Sequence, residues 1–225
     1  MQKKLKFANI FCGFSNVLFW NNIPSFERLR VFIFYIHSEL NLSIASLKHK
    51  LSLMSEGEVV KSSVIIQRKF LNYVKSLKHE NVLIYMPFKN EVKTAEIREK
   101  MLSKNKKVYI PKVLDESKLH FNKFVNKNNL VINKFNILES IDQDILPVEK
   151  FDLLILPFVG IDKNGSRLGH GGGYYDRALQ DLKYLNKNAI IIGLGYEFQL
   201  VKNEFGESHD IKFDLVFTEQ NLHIF

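Results

Sequence analysis

The chain has 225 residues, 46% of them hydrophobic, so disorder is not the default and one sizeable core is within reach. A formal charge of +8 suits anionic partners (nucleotides, polyglutamylated small molecules, nucleic acid, an anionic membrane) and suits mere solubility equally well. A single cysteine, Cys12, excludes an internal disulfide and a cysteine zinc cluster, and the seven histidines contain no H-x-x-x-H pair for a helical zinc site.

Residues 1–40 differ from the rest. Met1 to Lys6 is basic, no acidic residue precedes Glu27, and Phe7–Trp20 and Val31–Ile36 are apolar runs. Neither run reaches the roughly 20 apolar residues of a spanning helix, so no stable membrane span is expected. A targeting segment, a misplaced gene start and an ordinary extension all remain open for residues 1–44. The expected location is cytoplasmic, or mitochondrial or another organelle if residues 1–40 are a targeting segment. The lysines are scattered without a basic, aromatic-interleaved stripe, so no nucleic-acid partner is expected.

From residue 45 onward the pattern is that of one α/β domain. Residues 56–78 have helical period, with Val59, Val60, Val64, Ile65, Phe70, Leu71, Val74 and Leu77 on one broad side, and Ser55 with Glu58 forms a capping box. Asn81–Pro87 reads as a buried strand, and its exit loop carries Glu91. Thr94 is placed to cap a helix over Ala95–Ser103, and Lys107–Pro111 is a second strand. Strand, helix, strand at this spacing implies a right-handed crossover and a parallel pair. Leu119–Val125 alternates like an edge strand, and residues 130–150 read as loop-rich. Further strands are expected at Phe151–Leu156, Ala189–Leu194 and Phe213–Thr218. The fold class is therefore α/β: a single open, mostly parallel sheet flanked by helices, a Rossmann-like three-layer arrangement with an N-terminal extension.

The strand at Phe151–Leu156 leads through Asp162-Lys163-Asn164-Gly165-Ser166 into Arg167-Leu168-Gly169-His170-Gly171-Gly172-Gly173-Tyr174-Tyr175-Asp176. Four glycines in five positions allow successive backbone N–H groups to turn inward as an anion nest, and a helix starting at Tyr174 would add its positive end. A phosphate thus has a seat at residues 169–174, with Asp176 close enough for an accompanying cation. The dinucleotide fingerprint fails, since Tyr174 stands where its last glycine belongs, and no Walker triplet occurs.

The string Leu156-Pro-x-x-Gly160-x-Asp162-Lys-x-Gly165-x-Arg167-Leu-Gly-x-Gly-x-Gly-Tyr-Tyr-Asp176 closely resembles the signature of the 5-formyltetrahydrofolate cyclo-ligase (methenyltetrahydrofolate synthetase) family. The resemblance extends more loosely from about Leu47 to Glu219. It implies ATP-dependent cyclisation of 5-formyltetrahydrofolate to 5,10-methenyltetrahydrofolate, with ATP as co-substrate, Mg²⁺ as cofactor and a monomeric protein. It further implies Arg167 and Tyr174 as catalytic groups. Arg167, Leu168, Gly169, His170, Gly171, Gly172, Gly173, Tyr174 and Tyr175 form the ATP loop. Met86 and Glu91, with His170 to Tyr174, contact the folate, and Asp176 and Asp210 hold the metal.

One departure stands out: the family's N-terminal Lys-x-x-Leu-Arg segment would fall near Leu40–Ile44, where neither basic residue occurs. Glu27-Arg28-Leu29-Arg30 is similar but further upstream. The alternative function is a catalytically impaired folate- or nucleotide-binding protein of the same fold, and a third is an RNA-associated regulator.

Overall fold

The computed structural model describes residues 44–114, 118–202, 204–206 and 210–225. The expectations for residues 1–43, including the upstream basic motif, lie outside the described residues. Among these, no helix is long and apolar enough to cross a membrane.

Helix α1 covers residues 44–53. Helix α2, Glu56–Val74, starts at the predicted capping box: Ser55 and Glu58 each accept from the other's backbone N–H. Such a cap contributes about 1 kcal/mol. Then follow β1 (Asn81–Ile84), α3 (Ala95–Ser103), β2 (Lys107–Val113), β3 (Leu119–Lys123), β4 (Leu130–Ile132) and β5 (Leu138–Ser140). The second half holds β6 (Leu153–Leu156), β7 (Gly160–Ile161), β8 (Arg167–Leu168), α4 (Tyr174–Leu179), α5 (Leu182–Leu185), β9 (Ile190–Leu194), β10 (Leu215–Phe217) and β11 (Leu222–Ile224).

Seven strands form one sheet in the order β11-β10-β9-β6-β1-β2-β3. The inner five are parallel, and β3 and β11 are antiparallel edges. A parallel strand buried on both faces needs apolar residues at successive positions, which is what the runs at β1, β6 and β9 supply. Alternation then divides them. Val82, Ile84, Leu153 and Ile155 join Ile66, Phe70, Ile97 and Met101 of α2 and α3 in one core. Leu83, Leu154, Leu156 and Ile191 join Leu179 and Leu182 of α4 and α5 in the other. This is the expected three-layer arrangement.

Chain order among the parallel strands reverses between β1 and β6: β1 leads to β2 on one side, β6 to β9 on the other. Open α/β sheets bind ligands outside the carboxyl ends of the strands at such a switch point.

Three local expectations are corrected. Val60, Val64 and Ile65 of α2 are exposed, while Ser63 and Gln67 take core-facing positions. These two polar side chains are buried because they serve backbone amides elsewhere: Ser63 accepts from Lys93 N, and Gln67 accepts from Glu96 N and Ile97 N at the start of α3. Thr94 occupies the cap position of α3 but makes no cap bond; its hydroxyl donates to Tyr85 O and accepts from Arg98. The single helix expected after the glycine loop is two short ones, interrupted at Gln180–Asp181, so that both Leu179 and Leu182 enter the second core. The region 130–150 contains the β4–β5 hairpin, and β11 was not foreseen.

Candidate active site

The loops leaving β1 and β6 meet at the switch point. Glu91 lies in the first, 6% exposed. Its Oε2 accepts from Phe88 N at 2.8 Å, and its Oε1 stands 3.1 Å from Nε2 of His170 in the glycine loop. The imidazole, 42% exposed, also meets the Phe88 ring edge-on at 5.8 Å. Two loops 79 positions apart in sequence are thus tied by one carboxylate–imidazole contact.

The glycine loop is open. Gly171 has φ +103°, and a Cβ there would meet nothing within 4 Å. Gly173 has φ +62° and precedes α4. Left-handed backbone at both positions requires glycine and turns successive amides to one side. Among the described residues, no backbone carbonyl takes the amides of Gly171 or Gly172. Because α4 has only six residues, the helix dipole adds little to an anion seat; the amides and nearby cations must supply it.

Arg167 lies at the base of the loop, its side chain 4% exposed. One Nη donates to Asp176 Oδ1 at 2.6 Å, the other to Pro157 O at 3.3 Å, and the guanidinium lies 5.5 Å from the Tyr175 ring centroid. Its buried Nε has no partner. Arg167 and Asp176 thus form a largely buried Arg–carboxylate salt bridge. Burial, then the nearby Glu91 carboxylate, pushes the Tyr175 phenol well up, with Arg167 opposing, so this hydroxyl stays protonated at neutral pH. The Tyr174 ring meets Phe135 of the β4–β5 turn edge-on at 6.4 Å and lies under the Arg177 guanidinium.

The remaining expected residues are placed as follows. Met86 is buried in the first core, beside Tyr85 and Val92. Leu168 pairs with Gly160 across β7 and β8. Asp210 is half-buried and precedes Ile211, whose carbonyl accepts from Arg167 N at 3.2 Å, so the Asp210 segment runs along the base of the loop. Asp214, by contrast, is structural: it pairs with Lys183 and accepts from Ile191 N.

The described residues contain no group of three or more His, Cys, Asp or Glu placed for a metal. A nucleotide-bound Mg²⁺ needs only one or two protein carboxylates, and Asp176, 28% exposed, keeps Oδ2 clear of its Arg167 bond. The donor chemistry therefore fits.

One residue escaped sequence reasoning. Lys48 of α1 donates from Nζ to His170 O at 3.3 Å, bringing a cation to the glycine loop. The available signal was the basic run Lys48-His49-Lys50 just before the Ser55 cap.

Comparison with known proteins agrees with this geometry. The chain is 31% identical over 183 residues to the 5-formyltetrahydrofolate cyclo-ligase of Haemophilus influenzae, covering 79% of this chain and 95% of the relative. It is 31% identical over 154 residues to the Escherichia coli K12 protein of the same name, covering 67% and 84%. The solved structure of Aquifex aeolicus 5,10-methenyltetrahydrofolate synthetase superposes with TM-score 0.69 at 28% identity, covering 82% of this chain and 91% of that one. A methenyltetrahydrofolate synthetase from Mycoplasma pneumoniae, 23% identical, shares the fold with TM-score 0.65 over 80% and 98%. With its glycine loop, switch-point cleft and a family model matched across residues 37–219, the chain belongs to the 5-formyltetrahydrofolate cyclo-ligase family.

Proposed function

We propose that this chain uses ATP to close 5-formyltetrahydrofolate into 5,10-methenyltetrahydrofolate at the cleft between the β1 and β6 exit loops. The carrying observation is the Glu91–His170 contact, which sets a buried carboxylate against a loop of open amides. A carboxylate repels phosphate and accepts from N–H groups. Glu91 therefore suits the pterin edge, and the amides of Gly169 and Gly171–Gly173 suit the triphosphate. Met86, at the core edge, is read as the apolar neighbour of the pterin, and Tyr174, which starts α4 after the glycine loop, as a ring that can stack on it.

The formyl oxygen attacks the γ-phosphorus and ADP leaves, giving an imidoyl phosphate. N10 then attacks the activated carbon, losing its proton, and phosphate departs. This chemistry demands alignment of two bound partners and neutralisation of charge at the transferring group. Among the described residues, Arg167, Lys48 and Arg177, which donates to Gly172 O at 2.8 Å, bring cations to the loop, and His170 adds an imidazole. Mg²⁺, held by Asp176 with Asp210, would screen the phosphate oxygens. The domain of residues 45–225 carries the activity and residues 1–44 form an extension.

The test is the absorbance of methenyltetrahydrofolate formed by the purified full chain. Product should appear in proportion to ATP consumed. Equal product without nucleotide would overturn the reading, as would no turnover from a folded protein with ATP, Mg²⁺ and substrate present.

A further inference from the structure

A second basic pocket lies at the other end of the sheet. Its wall comes from the C-terminal turns of α2 and α3 and the segments entering β1 and β2. Leu71, Val74, Leu77 and Met101 form the apolar part, and Lys75, Lys100, Lys104, Lys106 and His79 the polar part, around a cavity of about 290 Å³. Among the described residues, no carboxylate lines it. Glu91 and the glycine loop follow the carboxyl ends of the parallel strands, whereas this pocket lies by the amino ends of β1 and β2, so the two are separate.

Helix C-termini favour lysine through their exposed carbonyls, and Lys100 and Lys104 stand at the end of α3, where the Lys104 backbone N–H closes the last turn on Met101 O. That preference explains neither a cavity nor the state of His79. The His79 side chain is buried, with the residue 8% exposed, and its Nδ1 lies 2.8 Å from Leu77 O, a geometry that requires N–H at Nδ1. Its Nε2 is buried without a partner. A buried polar atom left unpaired is destabilising, and a ligand that pairs with it would relieve that penalty.

We propose that this pocket binds a phosphate-bearing small molecule, with Lys100, Lys104 and Lys75 around the anion and His79 Nε2 sharing its proton.

The chemistry of His79 selects phosphate over carboxylate. With Nδ1 as donor, neutral Nε2 is an acceptor, and an ionised carboxylate offers it nothing. A phosphate monoanion carries an O–H that it can donate to Nε2, and its second pKa, about 6, leaves that form populated near neutral pH. Either group can hold the shared proton. Burial, then Lys106, pulls the His79 pKa down in the free protein, and a bound dianion reverses the second effect. The charged groups facing the ring are Lys106 and Lys104 from α3 and its exit, and Asp152 from the start of β6. Asp152 is held by Glu80 N and Asn81 N, and Glu80 pairs with Lys107. The apolar wall takes the organic part of the ligand.

The test follows the His79 ring nitrogens by NMR while the full chain is titrated separately with inorganic phosphate, pyrophosphate, ATP and citrate. Phosphate or pyrophosphate should move Nε2 saturably from the unprotonated toward the protonated range, and so should phosphate in Gly171→Val, whose glycine-loop site is disabled. In Lys100→Ala/Lys104→Ala, both on the exposed surface, the apparent Kd for this shift should rise about tenfold while turnover in phosphate-free buffer stays unchanged. A larger shift with ATP than with phosphate would name the nucleotide as the natural source of the group. An unmoved Nε2 with every phosphate compound would overturn the proposal, as would an equal shift with citrate or an unchanged Kd in the double variant.

Discussion

Two turns stand side by side in the loop after β6, both built from glycine and charged or polar residues, with opposite uses of their backbone. The Asp162 turn is closed on itself. Asp162 Oδ1 accepts from Asn164 N and Ser166 N, and Oδ2 from Phe205 N and Gly206 N. Gly165, at φ +80°, has no room for a side chain: a Cβ would come within 2.8 Å of the Phe225 ring and 2.9 Å of Phe213 O. The loop at 169–173 is the converse. Gly171 faces open space and its amide has no carbonyl partner among the described residues. Glycine is required in one turn by what already fills the space, in the other by what must be able to enter. A signature motif thus contains both a framework and a site, and only partners in space tell them apart.

Arg167 connects the two turns: it pairs with Ile161 at the foot of the Asp162 turn, and its guanidinium holds Asp176 beyond the glycine loop. Arg167→Ala should lower kcat/KM by about 10³, the scale of losing a preorganised cation at a phosphoryl group. It should also lower stability by roughly 1–3 kcal/mol, because a half-buried carboxylate loses its partner. Arg167→Ala/Asp176→Ala should recover most of that stability and none of the turnover, in urea denaturation and steady-state assays. Recovered turnover would show the pair to be a brace that touches no reacting group.

Sequence reasoning read the sheet well because a strand buried on both faces must be apolar at successive positions, as β6, β9 and β1 after its opening Asn81 are. It read the Ser55–Glu58 cap because that motif is local. It misplaced the core face of α2 because Ser63 and Gln67 are buried on behalf of amides at Lys93, Glu96 and Ile97, partners about 30 positions away. It expected dipole support from a helix at Tyr174 that is one and a half turns long. The glycine loop was legible in composition. The Glu91–His170 contact and Lys48 were not, since the first joins two loops 79 positions apart and the second reaches a backbone carbonyl 122 positions away.

A smaller effect sharpens the division of the cleft. Glu91→Gln should weaken folate binding by roughly 1–3 kcal/mol, the scale of a charge-assisted acceptor, and leave nucleotide affinity nearly unchanged. Gly171→Val should do the reverse: the left-handed backbone disfavours valine, and its side chain occupies the open face of the loop. Separate titrations of each folded variant with nucleotide and with 5-formyltetrahydrofolate decide it. Loss of nucleotide with retention of folate in Glu91→Gln would mean that the two loops do not serve opposite partners.

The smallest effect tests whether the Asp162 turn is framework alone. Burial works against its carboxylate, yet the four amides of Ser166, Phe205, Gly206 and Asn164 together outweigh it and hold the pKa below the usual aspartate value. A depressed folded-state pKa means stability that is present above the unfolded pKa near 3.9 and lost as pH falls through the lower folded value. Asp162→Asn keeps an acceptor for two amides but turns an N–H donor toward the other two, so it should cost about 1–2 kcal/mol at pH 7. As pH falls below the unfolded value the carboxylate's advantage shrinks, and below the lower folded value the protonated carboxyl acquires the same handicap, so the gap between the two proteins should narrow in acid. Urea denaturation of both at pH 7 and pH 3 measures the gap, and comparing the pair removes the contribution of other carboxylates. Nucleotide affinity at pH 7 should stay unchanged in the variant. If affinity falls along with stability, the amides at residues 169–173 depend on the Asp162 turn for their geometry, and the two turns act as one unit.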